Sequence, residues 1–342
     1  MVRKRRLYEI VGENMAKKIE EVTQHFWDNE VNPENRQIIE DFLNDKQELS
    51  PATRKQYTSA LKIFAKWIHD TNRRGEDRLI TDLKIRDALR YQNWLISKDL
   101  SPNAIKLKRS AVSSLCDHIE AFYSDIYPDF RNIFTKAVKS VPKANKKAKE
   151  PLTKKELDIL IKALEDEGEY QKLAYLLYTY STGCRREESR QLLKEVANYD
   201  KVVNKKGEVK NYYRTHEIRA KGKGREGKVR KFEFDEKTMQ AIKKWMEVRG
   251  EDDCPYLFVS KTRDSYRQLS PNTFNLWCEK FSKILGKKVH PHLIRSTRAT
   301  IANQEDGIDI KKIQKILGHE SSQTTEIYIV RDDSDDIDDL YD

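Results

Sequence analysis

The stretch LGHESSQTTEIY, residues 317–328, decides how the fold and the function of this chain are interpreted. It places Tyr328 nine residues after His319, with four hydroxyl side chains between them. We expect Gly318 to end one helix and a following serine to cap a short last helix that carries Tyr328. A tyrosine in such a helix is usually packed against its neighbours, so a role as a nucleophile needs support from the rest of the chain.

Length and composition indicate a polar protein of two domains. A chain of 342 residues exceeds the size at which one hydrophobic core usually stops growing. Hydrophobic residues make up 37% of it and charged residues 36%, as in soluble globular proteins. No apolar run approaches the roughly 18 residues that span a bilayer, and the N-terminal MVRKRRLYEI lacks the apolar core of a signal peptide. We therefore expect no membrane partner and a cytoplasmic or nuclear-type compartment.

The charge of the chain favours a polyanionic partner. The formal net charge is +10, although residues 331–342, RDDSDDIDDLYD, carry seven aspartates. The remainder of the chain is therefore more basic than the total suggests, as in proteins that bind nucleic acids. Basicity alone does not establish such a partner, because many basic proteins bind no polyanion.

The sequence indicates neither a metal site nor a nucleotide-binding loop. The four cysteines are far apart and show no CxxC spacing, which argues against zinc and against a disulfide framework. The stretch AKGKGREGK, residues 220–228, lacks the GxxxxGK[ST] spacing of an ATP-binding loop. His292 lacks the second histidine, four residues on, that a helical zinc site requires. We therefore expect no cofactor.

Two Ser-Pro pairs mark the starts of long helices in the first half of the chain. Ser50 and Ser101 are predicted N-caps, and a proline then occupies the first helical position after each. Between them, KIRDALRYQNWLISKD has the apolar periodicity of a third helix, and NMAKKIEEVTQHFW indicates a helical extension before residue 45. One stripe is predicted to be buried, namely Tyr57, Ala60, Leu61, Phe64, Trp67 and Ile68.

The second half is predicted to be mainly helical with a small antiparallel sheet. The basic stretch VPKANKKAKE, residues 141–150, has no periodicity and indicates an exposed linker. Thr153 and Glu156 then have the spacing of a capping box at the start of a helix. Further on, NYYRTHEIRA and KVRKFEF indicate two strands joined by the turn-rich KGKGREG. Helices are predicted again from about residue 235 to the end.

One polar motif follows a predicted helix end in STGCRREESRQL, residues 181–192. Gly183 is expected to end one helix, and Arg185, Glu188 and Leu192 are then expected to share a face of the next. Considered alone, the arginine and the glutamate would form a surface ion pair, which contributes little to stability.

Two other stretches carry polar residues that core packing does not explain. In VHPHLIRSTRAT, residues 289–300, His292 and Arg295 lie one helical turn apart, so both can face one cavity. The predicted hairpin loop presents Lys221 and Lys223. In isolation this loop is either a solvated turn or a basic contact to a phosphate backbone.

In this order, the motifs resemble the catalytic domain of the tyrosine recombinase, or phage integrase, family. That family carries G-x-R-x-x-E, a hairpin lysine, H-x-x-R, and then G-H followed nine residues later by a nucleophilic tyrosine. The matching residues here are Gly183, Arg185, Glu188, Lys223, His292, Arg295, Gly318, His319 and Tyr328. The resemblance extends over about residues 150–330, and the helical first half resembles the core-binding domain of the family.

Two positions depart from the family pattern, and one assignment within it stays open. Ser296 stands where the family often has a second histidine, and Arg298 stands where an apolar residue is usual. Lys223 aligns with the hairpin lysine of the family, but Lys221 lies two residues away and shares its face. Either lysine could therefore be the general acid.

The resemblance implies a covalent mechanism that needs neither ATP nor a metal. Tyr328 would attack a backbone phosphorus and form a 3′-phosphotyrosyl link, which leaves a free 5′-hydroxyl. Arg185 and Arg295 would hold the phosphoryl oxygens, because guanidiniums suit dispersed negative charge.

The remaining motif residues would support this reaction. Lys223 would protonate the leaving 5′-oxygen. His292 and His319 would donate hydrogen bonds to the phosphoryl oxygens or manage the proton of the tyrosine. Glu188 would orient the first arginine.

The predicted domain order is a helical N-terminal extension (1–45), a helical core DNA-binding domain (46–140), a linker (141–150), a catalytic domain (151–330) and an acidic tail (331–342). Basic residues near helix starts and in the hairpin are candidate DNA contacts, namely Arg54, Lys55, Lys106, Lys108, Arg109 and Lys221. A solvated charged face explains them equally well.

The favoured interpretation is a site-specific DNA recombinase that acts as a homo-tetramer on two double-stranded DNA sites. The resemblance also implies that protomers exchange C-terminal segments, and that accessory proteins could set the direction of the reaction. The acidic tail would either dock on a basic neighbour or stay solvated. A type IB topoisomerase would use a similar site but rejoin the same strand. A non-catalytic DNA-binding protein is disfavoured, because every catalytic residue type is present.

Overall fold

The computed structural model describes residues 19–71, 78–142, 150–220, 227–263 and 265–318. The chain divides into two compact units, Met1–Lys146 and Lys147–Asp342. Within the described ranges, no helix combines the length and the apolar character needed to cross a bilayer.

The regular structure described in the first unit is helical. Its helices are α1 (Gln24–Asn29), α2 (Pro33–Asp45), α3 (Pro51–Thr71), α4 (Ile85–Ser97) and α5 (Pro102–Phe122), with a 3-10 turn at Ile80–Asp82. Both predicted caps are confirmed. Ser50 Oγ accepts a hydrogen bond from Thr53 N at 3.2 Å, and Ser101 Oγ accepts one from Ala104 N at 3.3 Å. The helix predicted between them is α4.

The two helices before residue 46 share a core with the helices after it. Trp27 of α1 and Phe42 of α2 are buried in one apolar cluster with Phe64 of α3 and Leu115 of α5. The hydrophobic effect scales with the apolar surface area that is removed from water. Burial of these side chains therefore holds the segment before residue 46 against the rest of the unit.

The stretch NMAKKIEEVTQHFW, predicted to be a helical extension, is helical only in part over its described residues. Residues 19–23 are not helical, so the prediction was wrong for that part. Thr23 takes the N-cap position of α1, and its Oγ1 accepts a hydrogen bond from Phe26 N at 3.1 Å. A threonine whose hydroxyl caps the following turn favours a helix start at this point.

The second unit is mainly helical and contains short antiparallel ladders. Its helices are α6 (Lys154–Asp166), α7 (Tyr170–Thr182), α8 (Arg186–Arg190), α9 (Glu236–Arg249), α10 (Pro271–Leu285), α11 (Pro291–Gln304) and α12 (Ile310–Leu317). Its strands are β1 (Tyr213–Arg214), β2 (Ile218–Ala220), β3 (Lys228–Arg230), β4 (Glu233–Phe234), β5 (Val259–Lys261) and β6 (Tyr266–Gln268). The predicted capping box of α6 is confirmed, with Thr153 Oγ1 accepting from Glu156 N at 3.2 Å and Glu156 Oε2 accepting from Thr153 N at 2.9 Å.

Two ladders form the strand pairs that the sequence predicted. β1 pairs with β4, and β2 pairs with β3, so that Ile218 lies opposite Arg230. The loop between β2 and β3, residues 221–226, carries Lys221 and Lys223 and lies outside the described residues. β2 and β3 therefore form the stem that leads into and out of this loop.

A further hairpin was not predicted. β5 and β6 pair antiparallel, with Val259 opposite Gln268. The sequence indicated only helices in this region, so that prediction was wrong here. Strands of three residues are too short to show an alternating apolar pattern, and Val259 is the one buried residue of β5.

Helix α7 lies at the centre of the second unit. The ring of its Tyr175 is fully buried, and its centroid lies 4.5 Å from Phe274, 5.5 Å from Trp277 and 5.8 Å from Phe258. Dense aromatic packing of this kind fixes the position of a helix. The last residue of α7, Thr182, precedes the first of the motifs considered below.

Candidate active site

The turn between α7 and α8 places Arg185. Gly183 follows α7 with φ of 59°, in the left-handed region that favours glycine, and the predicted helix end is confirmed. A Cβ at this position would lie 2.5 Å from the side chain of Leu317, so glycine also leaves the space that Leu317 occupies. Arg185 then takes the N-cap position of α8.

Glu188 holds Arg185 at two points. Its Oε2 accepts a hydrogen bond from the backbone N of Arg185 at 2.6 Å, and its Oε1 accepts one from Nη1 of the guanidinium at 3.0 Å. The carboxylate side chain is 2% exposed and that of the arginine 23%. A buried carboxylate thus orients a partly exposed guanidinium. Leu192 does not share their helix as predicted, because α8 ends at Arg190.

Arg295 of α11 connects two of the motifs. Its Nη1 donates a hydrogen bond to the carbonyl of Gly183, and its Nη2 donates to the carbonyl of Leu317 at 2.7 Å. The side chain is completely buried. A buried guanidinium is stable only when its donors are satisfied, and these carbonyls belong to the turn before Arg185 and to the last residue of α12.

His292 lies in the first turn of α11, three residues before Arg295, as predicted. It is exposed, and the preceding His290 caps the helix through Nδ1, which accepts a hydrogen bond from Leu293 N at 3.0 Å. The sequence interpretation did not assign this cap. A histidine directly before the proline at the first helical position was the available signal.

The end of α12 is held by a second arginine, Arg230 of β3. Nη2 of Arg230 donates to the carbonyl of Ile316 at 2.7 Å. Gly318 then ends the helix with φ of 66°, which confirms the predicted helix end. The sequence did not indicate this role of Arg230, because Arg230 is one of several basic residues in the predicted hairpin.

Three of the six predicted catalytic residues lie outside the part of the chain that the structure describes. Lys223 and its alternative Lys221 lie outside the described residues, as do His319 and Tyr328 with the predicted last helix. The described elements that lead to them are the stem of the hairpin and the turn at Gly318. The roles of these side chains therefore stay predictions.

The two departures from the family pattern have local partners. Ser296 Oγ donates to the backbone carbonyl of His292 at 3.0 Å. Arg298 extends towards Asp306, with Nη1 3.5 Å from Oδ2, and its guanidinium lies 5.8 Å from the ring centroid of Tyr180. Both residues thus make contacts within the second unit.

The candidate DNA contacts of the first unit differ in how exposed their charged groups are and in whether other residues already bind them. Lys55 and Lys106 are exposed, and each is the fifth residue of its helix, α3 and α5. Arg54 is half-buried and donates to Gln47 Oε1 at 3.1 Å. Lys108 is half-buried as well, and burial lowers the pKa of its ammonium group.

Arg109 has a different role. Its Nη2 donates to the carbonyl of Val138 at 2.7 Å and its Nη1 to that of Lys139 at 3.0 Å, while the guanidinium lies 5.3 Å from the ring centroid of Phe134. These contacts hold the segment after α5 against that helix. Arg109 therefore supports this internal contact, and its role in DNA binding stays a prediction.

The cysteines are free thiols. Cys116, Cys184 and Cys278 are buried, and burial raises the pKa of the Cys184 thiol to about 11 and that of Cys116 to about 12. Such thiols are inert at neutral pH. Among the described residues, no group of three His, Cys, Asp or Glu side chains could hold a metal ion.

Comparison with known families covers most of the chain. Residues 150–335 match the Phage integrase family, and residues 36–122 match the phage integrase N-terminal SAM-like domain. The second match begins within α2, which agrees with the shared core of α2 and α3.

Related proteins align over both units. The SPbeta prophage-derived recombinase-like protein YomM of Bacillus subtilis (strain 168) is 31% identical over 323 residues, which make up 93% of each chain. The tyrosine recombinase XerA of Pyrococcus furiosus is 32% identical over 244 residues, 71% of this chain and 75% of that protein.

Solved structures share the fold. The Tn1549 transposon integrase in complex with circular intermediate DNA has a TM-score of 0.63 at 19% identity, covering 89% of this chain and 97% of that one. XerH recombinase bound to a palindromic difH substrate has a TM-score of 0.65 at 17% identity, covering 89% and 83%. These comparisons confirm the predicted fold class, mainly α with a small antiparallel sheet and two domains. The chain belongs to the phage integrase family.

Proposed function

We propose that this chain is a site-specific DNA recombinase that cuts and rejoins DNA strands through a covalent link to Tyr328. The activity class follows from family membership. The observation that carries the residue assignments is the pair of hydrogen bonds from Arg295 to Gly183 and Leu317. Through them, the turn before Arg185 and the turn before His319 each lie one hydrogen bond from a single buried guanidinium.

The chemistry needs concentrated positive charge at a phosphorus atom. When the oxygen of Tyr328 bonds to phosphorus and the bond to the 5′-oxygen breaks, negative charge spreads over the phosphoryl oxygens. Arg185, oriented by Glu188, and Arg295 supply guanidiniums for that charge. The bond energy is retained in the 3′-phosphotyrosyl link, so rejoining needs no ATP.

Proton transfer completes the step. A tyrosine hydroxyl, whose pKa in model peptides is near 10, must lose its proton as it attacks, and His292 and His319 are the proposed groups that assist this. The leaving 5′-oxygen must gain a proton, which we assign to Lys223, with Lys221 as the alternative. Both lysines follow β2, which pairs antiparallel with β3.

Arg295 has no exposed surface in this structure. A direct contact between its guanidinium and a phosphate therefore requires the residues around it to rearrange when DNA binds. Arg185 needs less rearrangement, because its side chain is 23% exposed. We assign the first contact with the phosphate to Arg185 and the later one to Arg295.

The first unit supplies the proposed grip on the DNA backbone. Lys55 and Lys106 are exposed near the starts of two long helices, and Arg54 and Lys108 lie beside them in sequence. Such contacts position a protein on DNA without reading sequence. We propose that four protomers assemble on two DNA sites in the cytoplasm, exchange C-terminal segments, and respond to accessory factors that set direction.

A type IB topoisomerase activity is the nearest alternative, since it would use the same covalent link. The two activities differ in their products. A recombinase exchanges the flanks of two sites, whereas a topoisomerase relaxes a supercoiled plasmid without exchange. A DNA-binding protein without catalysis would form no covalent adduct at all.

The test is a suicide substrate that carries a nick next to the cleavage site, so that the cleaved strand cannot be rejoined. Wild-type protein is expected to form a denaturant-resistant adduct, and Tyr328→Phe to bind the same DNA without forming one. Tyr199→Phe is the matched control, because it removes a tyrosine hydroxyl that donates to Glu195 Oε1, outside the proposed site, and should leave the adduct intact. An adduct with Tyr328→Phe would disprove the assignment.

A further inference from the structure

The last carbonyls of α12 are held from two directions. Arg230, on β3, donates from Nη2 to Ile316 O at 2.7 Å and lies 3.4 Å from Lys315 O, while Arg295, on α11, donates to Leu317 O at 2.7 Å. The last four carbonyls of a helix lack partners within it. Two guanidiniums therefore satisfy the end of the helix that precedes His319.

Electrostatics favours this arrangement. The C-terminus of a helix carries a partial negative charge, and a cation placed there is stabilising. Arg230 is also held by its own strand, because its backbone pairs with Ile218 of β2, and its guanidinium lies 4.5 Å from the ring centroid of Phe232. The side chain is thus fixed at both of its ends.

Gly318 and Arg230 fit each other closely. A Cβ built on Gly318 would lie 1.9 Å from Nη1 of Arg230, a distance that no real contact allows. The backbone of Gly318 has φ of 66°, which independently favours glycine. The guanidinium therefore lies directly against the turn from which the chain continues to His319 and Tyr328.

We propose that Arg230 is a positioning residue that fixes the turn before His319 and Tyr328 to the stem of the lysine hairpin, an inference that rests on the proposed function. Arg230 acts through the backbone of α12 and touches no reacting atom. The same strand connects to the loop that carries Lys223. Arg230 thus sets where the nucleophile-bearing segment begins relative to that loop.

The proposal is tested in the full-length chain with Arg230→Met, which keeps the length of the side chain and removes its donors, and with Arg230→Lys, which keeps the charge. Lys231→Met is the matched control, since Lys231 is exposed and its Nζ lies 4.0 Å from Glu217 Oε1, away from α12. The suicide substrate is used at saturating concentration, below the unfolding temperature. The rate constant of adduct formation, its amplitude and the DNA affinity are measured separately.

Arg230→Met is expected to lower the rate constant about 10-fold or more, because small displacements of a reacting group slow a reaction strongly. Arg230→Lys should lie between Arg230→Met and wild type, and Lys231→Met should match wild type. A substrate with sulfur in place of the leaving 5′-oxygen should not restore the rate constant of Arg230→Met. The substitution is expected to displace the nucleophile, whereas the sulfur compensates only for the loss of the general acid. Amide hydrogen exchange at Gly318, whose N–H donates to Lys315 O, should be faster in Arg230→Met than in Lys231→Met.

Three results would overturn the proposal. A wild-type rate constant with a reduced amplitude would show that Arg230 only stabilises the fold. A weaker DNA affinity of Arg230→Met with an unchanged rate constant at saturation would show that Arg230 contacts DNA. Restoration of its rate constant by the sulfur substrate would show that Arg230 positions the lysine. Failure of the proposed function is distinguished from these, because wild-type protein itself would then form no adduct.

Discussion

Arg295 donates a hydrogen bond from Nη2 to the backbone carbonyl of Leu317 at 2.7 Å, and so ties α11 to the last residue of α12. The other terminal nitrogen of the same guanidinium donates to Gly183. Residues more than a hundred positions apart in the chain are thus held together by one side chain that has no exposed surface. Loss of this side chain should therefore change both stability and chemistry.

Arg185→Ala and Arg295→Ala are each expected to slow cleavage about 10²-fold or more, because each removes a charge that stabilises the phosphoryl oxygens. Arg295→Ala should also lower the free energy of unfolding by about 1–3 kcal/mol, since it takes the donor from two buried carbonyls. Adduct formation at saturating DNA and thermal unfolding measure the two effects. Arg214→Ala, which removes an exposed arginine, is the control. Cleavage at wild-type speed by either variant would disprove its catalytic role.

Lys223→Ala is expected to cleave the ordinary phosphodiester slowly and to recover on a substrate whose leaving 5′-oxygen is replaced by sulfur. The sulfur leaves with little need for a proton, so loss of a general acid matters less. Lys221→Ala should be affected much less on either substrate. Recovery of the Lys221 variant instead would transfer the acid to that residue. If neither variant recovers, His292 and His319 become the candidates for the acid.

Gly318→Ala should be more damaging than Gly286→Ala, although both glycines follow a helix with φ of 66°. Both substitutions introduce the same backbone strain, about 1 kcal/mol. The added methyl group at position 286 meets nothing within 4 Å, whereas at 318 it would lie 1.9 Å from Arg230. In an Arg230→Ala background the difference between the two variants in free energy of unfolding should shrink. If Gly318→Ala and Gly286→Ala were equally destabilising in both backgrounds, the close contact between Gly318 and Arg230 would be contradicted.

Asp252→Asn is expected to destabilise the second unit by about 2 kcal/mol, because it removes the negative charge that pairs with the buried guanidinium of Arg249. The two side chains form hydrogen bonds at 2.6 Å between Nε and Oδ2 and at 2.6 Å between Nη2 and Oδ1. Urea unfolding at neutral pH measures the difference. Asp253→Asn, at an exposed neighbouring carboxylate, should have little effect.

The same pair predicts a dependence on pH. Hydrogen bonds from Arg249 hold the pKa of Asp252 below its ordinary value, against the opposing effect of burial. A carboxylate with a lowered pKa in the folded state contributes stability above its unfolded pKa of about 3.9, and this is lost as pH falls through the folded value. The stability gap between wild type and Asp252→Asn should therefore close below about pH 4. A gap that stayed constant down to pH 2 would contradict this.

Lys55→Gln and Lys106→Gln should weaken DNA binding without regard to sequence. Each should also reduce the slope of log affinity against log salt concentration by about 1, as expected when one phosphate contact is lost. Lys66→Gln is the control on the same helix as Lys55, because it lies about 16 Å further along α3 and pairs with Asp70. An unchanged slope for both test variants would make these lysines part of a solvated face.

Local structure was largely determined by the sequence itself. The caps at Ser50, Ser101 and Thr153 and the helix ends at Gly183 and Gly318 are set by residues within one turn of each boundary. Such signals depend on backbone geometry and on short side chains, which the sequence states directly. The order and spacing of the motifs were likewise sufficient to indicate the family.

The contacts that assemble the site were decided only by the tertiary structure. Nothing in the spacing of Arg230, Arg295 and Gly183 indicates that two guanidiniums meet the end of α12, or that Arg109 is engaged by Val138 and Lys139. A guanidinium carries five donors that can satisfy any nearby carbonyl. Which carbonyl lies near depends on how distant segments pack, and that packing is settled by the whole core and not by the residues adjacent in sequence.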